Sequence, residues 1–244
     1  MRMGWTSRMI LALPAPLARI ATQLRARLPN AFAVKSYSQE GEDLILRRIF
    51  GTQQNGFYVD VGAHHPRRFS NTHSFYERGW RGINIEPNPQ AHGLFASMRR
   101  RDINLQLGVA GQAGRLTYHE FDDGALNTFD AQLAQWRVAN TPYRLLRTFE
   151  IPVERLDRIL AQHLPAGQRI DFLSVDVEGL DLAVLESNDW RLYRPQCVLV
   201  EALDSSLEKA LGSDVYTFMS KQDYELLAKT FNTLLFRDRA AGRA

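Results

Sequence analysis

Apolar runs in this sequence carry carboxylates at or near their ends: Asp60 in "GFYVDVG", Glu86 in "RGINIEP", Asp176 and Glu178 in "DFLSVDVEG", and Glu201 in "QCVLVEA". An acid at a strand end accepts hydrogen bonds from ligand hydroxyls, and one crowded by a second acid has a raised pKa and can hold or take a proton. Asp60 and Glu86 are 26 residues apart, about one strand, helix, strand unit, so they are expected to end adjacent strands. In that position Glu86 is placed to accept from both hydroxyls of a ribose.

The turn after Asp60 narrows the ligand. A dinucleotide pyrophosphate needs several glycines so that backbone can close around it, and "DVGAHHPRRFS" offers only Gly62. One glycine followed by bulky residues suits a nucleoside without phosphates, which points to S-adenosylmethionine. Alternation with period two sends Asp176 and Glu178 to one side if their strand runs that far. Their repulsion then calls for a positive partner: a metal ion, a cationic ligand, or an arginine such as Arg137 or Arg147. No second ligand pattern supports a divalent metal, and none is expected. His64, His65, Asp176 and Glu178 are the candidate proton acceptors near this rim. His65 precedes Pro66, which favours an extended backbone and would hold the imidazole over the site.

These residues need a scaffold that brings strand ends to one edge. Strand-like runs at 56–62, 81–87, 104–110, 171–179 and 196–202 alternate with helical stretches, the pattern of a mostly parallel sheet covered on both faces. "SQEGEDLILRRIF" reads as a helix capped by Ser38 and ended by Gly51. The tail, "VYTFMSKQDYELLAKT" then "FNTLLFRD", reads as a helix and an antiparallel edge pair. Residues 111–150 break the alternation and are expected to form an inserted hairpin and cap, whose Phe129, Trp136, Arg137, Tyr143, Arg144 and Arg147 suit a sugar ring and an anionic group.

A chain of 244 residues, 45% hydrophobic, can bury a full core, and one domain with a short appendage is expected, residues 1–35 then 36–244. The single cysteine, Cys197, lies in an apolar run and reads as a buried hydrophobe, which fits a reducing, cytoplasmic setting. Charge is uneven. Residues 1–39 hold six basic residues and no acid, whereas the remainder has 24 basic against 27 acidic. Leu17, Ile20, Leu24 and Leu28 recur at helical spacing in that basic segment, so a helix that docks on the body or frays is expected there, with peripheral membrane contact through it as the alternative, while Pro14, Pro16 and the arginines argue against a spanning helix.

"YSQEGED", "GFYVDVGAHHPRRFSNTHSFYERGWRGINIEPNP" and "IDFLSVDVEGLDLAVLES" together resemble the FkbM-type S-adenosylmethionine-dependent methyltransferases, from about Tyr37 to Glu201 and onward. The resemblance implies a class I methyltransferase fold, a Rossmann-like, mostly parallel seven-stranded sheet with helices on both faces and an antiparallel C-terminal edge strand. It implies methyl transfer to oxygen on sugars, glycans, glycolipids or related scaffolds. It places Asp60, Gly62 and Ala63 beside the methionine part of the cofactor, followed by Asn71 and Thr72. Glu86 takes the ribose, Pro87 and Asn88 flank the adenine, and Val109 packs on its other side. Gln39 and Asp43 resemble positions near the cofactor's amino-acid end, and Asp176, Glu178 and His65 remain as candidates for the catalytic work. Nucleic acid is not an expected partner, since the body is net acidic and "DVEG" stands where a base methyltransferase would carry an "NPPY"-like turn.

Overall fold

The computed structural model of the chain describes residues 12–28, 33–203 and 206–241. Helix α1 (Ala15–Ala26) comes first, then α2 (Glu42–Phe50). Three strands follow, β1 (Phe57–Val61), β2 (Arg81–Ile85) and β3 (Ile103–Leu105), separated by α3 (His73–Glu77) and α4 (Pro89–Met98). A smaller unit contains β4 (Gly108–Val109), β5 (Gly114–Phe121), α5 (Ala131–Asn140) and β6 (Leu145–Glu154). The chain then returns through α6 (Leu156–His163), β7 (Phe172–Val175), α7 (Asp181–Glu186) and β8 (Cys197–Glu201), and closes with α8 (Leu207–Leu211), α9 (Asp214–Lys221), β9 (Tyr224–Lys229) and β10 (Thr233–Asp238).

The main sheet has the order β3-β2-β1-β7-β8-β10-β9. β3, β2, β1, β7 and β8 are parallel neighbours, and β10 is antiparallel to both β8 and β9. The expected antiparallel edge pair is therefore present. Strand alternation divides the core. Phe57, Val59, Val61, Leu173 and Val175 belong to one apolar cluster, with Leu156 and Leu160 of α6 and Val184 of α7. Tyr58, Phe172, Cys197 and Leu199 belong to the other, with Leu46 and Phe50 of α2. Each face is covered by helices, which is why the central strands are mostly apolar on both faces. Cys197 is fully buried, and burial pushes its thiol up to about 12, so it packs and does not react.

Chain order reverses between β1 and β7, the place where an open parallel sheet leaves a crevice at its carboxyl edge. Gly62 closes that edge. Its φ is +75°, and a Cβ there would lie 1.7 Å from the Asp176 carbonyl oxygen, so only glycine lets the ends of β1 and β7 approach this closely.

Two expectations change. The run at 104–110 is not one strand: Ile103–Leu105 pairs with β2, while Gly108–Val109 pairs with β6 in a second sheet of order β4-β6-β5. β2 ends at Ile85, so nothing remains for the chain to pair with in the main sheet beyond Leu105. The inserted hairpin is present as the long antiparallel pair β5 and β6, with α5 in its connection. Ser38 does act at the start of α2, its hydroxyl accepting from the Asp43 amide at 2.9 Å, although Gly41 occupies the position just before the helix.

Candidate active site

β1 and β2 deliver Asp60 and Glu86 to adjacent strand ends, as their spacing requires, and a cavity open to solvent lies against them. Gln39, Asp60, Gly62, Ala63, Asn71, Glu86, Pro87, Val109, Asp176 and Glu178 all border it. Asp60 is buried on the same face as Tyr58, and the Thr72 hydroxyl donates to its Oδ2 at 3.0 Å. Burial pushes Asp60 up to about 6, a rise that the Thr72 bond opposes. Thr72 thus holds Asp60 and does not itself face the cavity. Asn71 borders the cavity while its Nδ2 donates to Ser174 Oγ at 3.1 Å, joining the loop to β7.

Glu86 is buried, its Oε2 accepting from the His64 amide at 2.7 Å and its Oε1 from the Asn88 amide at 2.8 Å. Burial pushes it up to about 7 despite those two bonds. Asn88 is placed differently from the expectation. Its Oδ1 caps α4 by accepting from the Gln90 and Ala91 amides, its Nδ2 donates to Glu120, and its side chain lies outside the cavity. Pro89 at the first helical position favours that cap, a signal already legible in "NPQ".

His65 is also placed away. It borders a neighbouring hollow, and its Nδ1 accepts from the Arg67 and Arg68 amides at 3.0 Å each, so the imidazole closes its own turn. His64 is the histidine that borders the cavity, in a left-handed conformation with φ +54° that turns its ring the other way. Burial and Arg68 push His64 down to about 4, which keeps it neutral and a poor base. Asp43, expected near the cofactor, instead accepts from Ser36 Oγ and the Tyr37 amide and ties the approach segment to α2.

The candidate carboxylates meet, but not by strand alternation. β7 ends at Val175, and Glu178 sits in a left-handed turn with φ +54° whose amides are held by Asp181: its Oδ1 accepts from Val177 and its Oδ2 from Gly179. That turn brings oxygens of Asp176, Glu178 and Glu201 within 4.8 Å of one another. At that separation ionised carboxylates repel one another, so the protonated form is favoured in part of the group. Loss of bulk water raises the Asp176 pKa, as do Glu178 and Asp181. Because its carboxyl still opens to the cavity, the crowding is the firmer cause.

The positive partner is Arg137 of α5. Its Nη2 is paired with Glu178 and its Nη1 donates to the Leu126 carbonyl at 2.6 Å. Thr128 adds a bond from its hydroxyl to the Glu178 carbonyl at 2.7 Å, so the insertion grips the turn after β7. Arg147 pairs with Glu120 and Arg144 with Asp122, away from the triad, while Trp136 and Tyr143 are exposed. Of the six insertion residues expected to serve an acceptor, only Phe129 borders the cavity, with Arg137 acting through Glu178. Tyr118 and Asn127 also line it and were not anticipated. A long alternating strand and a turn asparagine carry no local mark of facing a ligand.

The residues fit an adenosyl sulfonium. Glu86 is buried just after β2 and borders the cavity, its two oxygens each held by one backbone amide. Acids with raised pKa values at Asp60, Asp176, Glu178 and Asp181 supply a surplus of negative charge for a cation to relieve. A doubly wound sheet with this strand order, one antiparallel strand near its edge and a ribose-binding acid after the second strand is the architecture of class I methyltransferases. The methyltransferase FkbM domain matches residues 60–226, and the chain belongs to that family. It is an S-adenosylmethionine-dependent methyltransferase. No curated protein matches the sequence significantly. Among solved structures, an O-methyltransferase from Bacillus cereus in complex with SAH is similar at 13% identity and a TM-score of 0.39, over 97% of this chain and 91% of that one.

Proposed function

We propose that this methyltransferase acts on a hydroxyl oxygen of a sugar or glycan-like acceptor, with the Asp176–Glu201 carboxyl pair receiving the hydroxyl proton. The observation that carries this reading is the open face of Asp176, at the end of β7 beside Gly62. S-adenosylmethionine supplies an electrophilic methyl group. Asp60, Gly62 and Ala63 would border its methionine part and Glu86 its ribose, leaving Asp176 towards the acceptor.

A sugar hydroxyl is a poor nucleophile at neutral pH, so a group within reach must accept its proton as the carbon–oxygen bond forms. Crowding by Glu178 raises the Asp176 pKa beyond the effect of burial, so taking a proton relieves repulsion there. Glu178, paired with Arg137, does not compete as a base. Gln39, Asn71 and Asn127 supply amide groups suited to several hydroxyls, and Phe69 offers a ring face. The products are a methyl ether, S-adenosylhomocysteine and a proton.

The test uses methyl-labelled S-adenosylmethionine and a panel of glycosides, with the product read by NMR and by stability to alkali. A base-stable O-methyl ether is expected, its formation reduced at least about a hundredfold by Asp176→Asn. A labile methyl ester, an N-methyl product, or undiminished turnover by Asp176→Asn would contradict the proposal.

A further inference from the structure

Helix α1 is twelve residues, Ala15–Ala26, and lies outside the part of the chain matched by the family. Leu17, Ile20 and Leu24 follow one another at spacings of three and four, which puts them on one face of the helix. Leu13 and Leu28 continue the same spacing just beyond either end. These five side chains are 42%, 52%, 54%, 58% and 62% exposed in chain order of Leu13, Leu17, Ile20, Leu24 and Leu28, so the body of the protein does not cover the stripe. Scattered exposed leucines need no explanation, but a continuous row on an amphipathic helix marks a contact surface.

We propose that α1 is an interfacial helix that docks this enzyme on an anionic lipid surface. Charge selects that occupant. Residues 1–39 hold six basic residues and no acid. A second copy of the chain would bring the same positive charge against the stripe, and two such helices would repel. Anionic headgroups offer the complementary charge, and the acyl boundary accepts the leucines. Arg19 is exposed and lies on the opposite face, as a helix lying in the plane of the interface requires. At twelve residues the helix is about 18 Å long, too short to cross a hydrocarbon layer of about 30 Å. Among the described residues no helix is long and apolar enough to span a membrane. The segment therefore lies on the surface, and the inference holds whichever hydroxyl the enzyme methylates.

The experiment is co-sedimentation of the full chain with phosphatidylcholine vesicles, with and without phosphatidylglycerol. It is repeated for Leu17→Glu/Ile20→Glu/Leu24→Glu and for Arg19→Glu/Arg27→Glu. S-adenosylhomocysteine binding serves as the control that each variant remains folded. Wild type is expected to sediment with the anionic vesicles and much less with phosphatidylcholine alone. The apolar triple variant should lose at least about tenfold in apparent affinity. The arginine pair should weaken binding and make it less sensitive to salt. Equal sedimentation of wild type and the triple variant would overturn the proposal, as would wild type remaining in the supernatant. So would a wild-type dimer in light scattering that the triple variant converts to monomer, because the stripe would then belong to a second copy.

Discussion

The Arg137 guanidinium, carried on the inserted helix α5, pairs with Glu178 in the turn after β7, and both side chains are largely withdrawn from solvent. This one contact joins the insertion to the acidic corner of the cavity. It also neutralises one member of the carboxylate triad.

Removing one partner of such a pair leaves an uncompensated charge, which costs more than the pair itself contributes. Arg137→Gln is expected to destabilise the protein by about 3 kcal/mol at pH 8, where Glu178 must ionise without its partner. The double variant Arg137→Gln/Glu178→Gln should recover more than half of that loss. Urea unfolding of the three proteins measures it, and equal instability of single and double variants would show that Arg137 matters for packing alone.

Arg99 is fully buried beneath the loop that follows β1. Its Nε and Nη2 donate to the Pro66 carbonyl, its Nη2 also to Ser70 and Thr72, and its Nη1 to the Tyr58 hydroxyl. Since Thr72 in turn holds Asp60, one planar guanidinium sets the shape of residues 63–72. A lysine cannot reproduce those bonds. Arg99→Lys is expected to weaken S-adenosylhomocysteine binding by about tenfold or more, through buried hydrogen bonds left unmade, while the fold survives. Calorimetric titration beside a thermal melt separates the two effects, and unchanged affinity would remove Arg99 from its positioning role.

The buried acids give the ligand-free protein a definite pH dependence. Glu86 is raised to about 7, and Asp60 and Asp181 each to about 6, burial being the first cause in each case. Carboxyls raised above their unfolded values contribute stability that is fully present below the unfolded pKa and lost as pH rises through the folded one. The melting temperature should therefore fall between about pH 4.5 and pH 7, with Glu86 alone contributing about 3 kcal/mol to the change. Glu86→Gln, which cannot ionise, should flatten the curve and melt higher than wild type at pH 8. A wild-type melting temperature that rises steadily to pH 8 would contradict the account.

The proposed ribose contact ties the same titration to the cofactor. Ribose hydroxyls would donate to an ionised Glu86, so affinity for S-adenosylhomocysteine is expected to fall as pH drops below about 7, by up to about tenfold per unit. Binding isotherms from pH 5.5 to 8.5 test this, and a flat profile would exclude Glu86 as the group that titrates.

What could be read in the sequence was whatever depended on strand ends. The 26-residue interval between Asp60 and Glu86 placed both correctly, because one strand, helix, strand unit has little freedom in length. The edge pair β9 and β10 followed from apolar alternation across a short turn. Side-chain direction inside loops was not legible. His64 takes a positive φ while its amide is held by Glu86, 22 residues away in sequence, and His65 closes its own turn instead. Glu178 reached Asp176 through a left-handed turn held by Asp181, where extending the strand would have predicted alternation. The same holds for the insertion's rings and arginines: composition marks them as able to bind, and only the folded insertion shows that Trp136 and Tyr143 face solvent while Arg137 turns in to Glu178.

The most direct measurement is calorimetric titration of the purified protein with S-adenosylhomocysteine at pH 8, beside Glu86→Ala, with circular dichroism confirming that the variant is folded. One site per chain in wild type and a loss of affinity of at least about tenfold in the folded variant is the predicted result. Equal binding by both proteins, or none by the wild type, would contradict the assignment of the cavity between β1, β2 and β7 to the methyl donor.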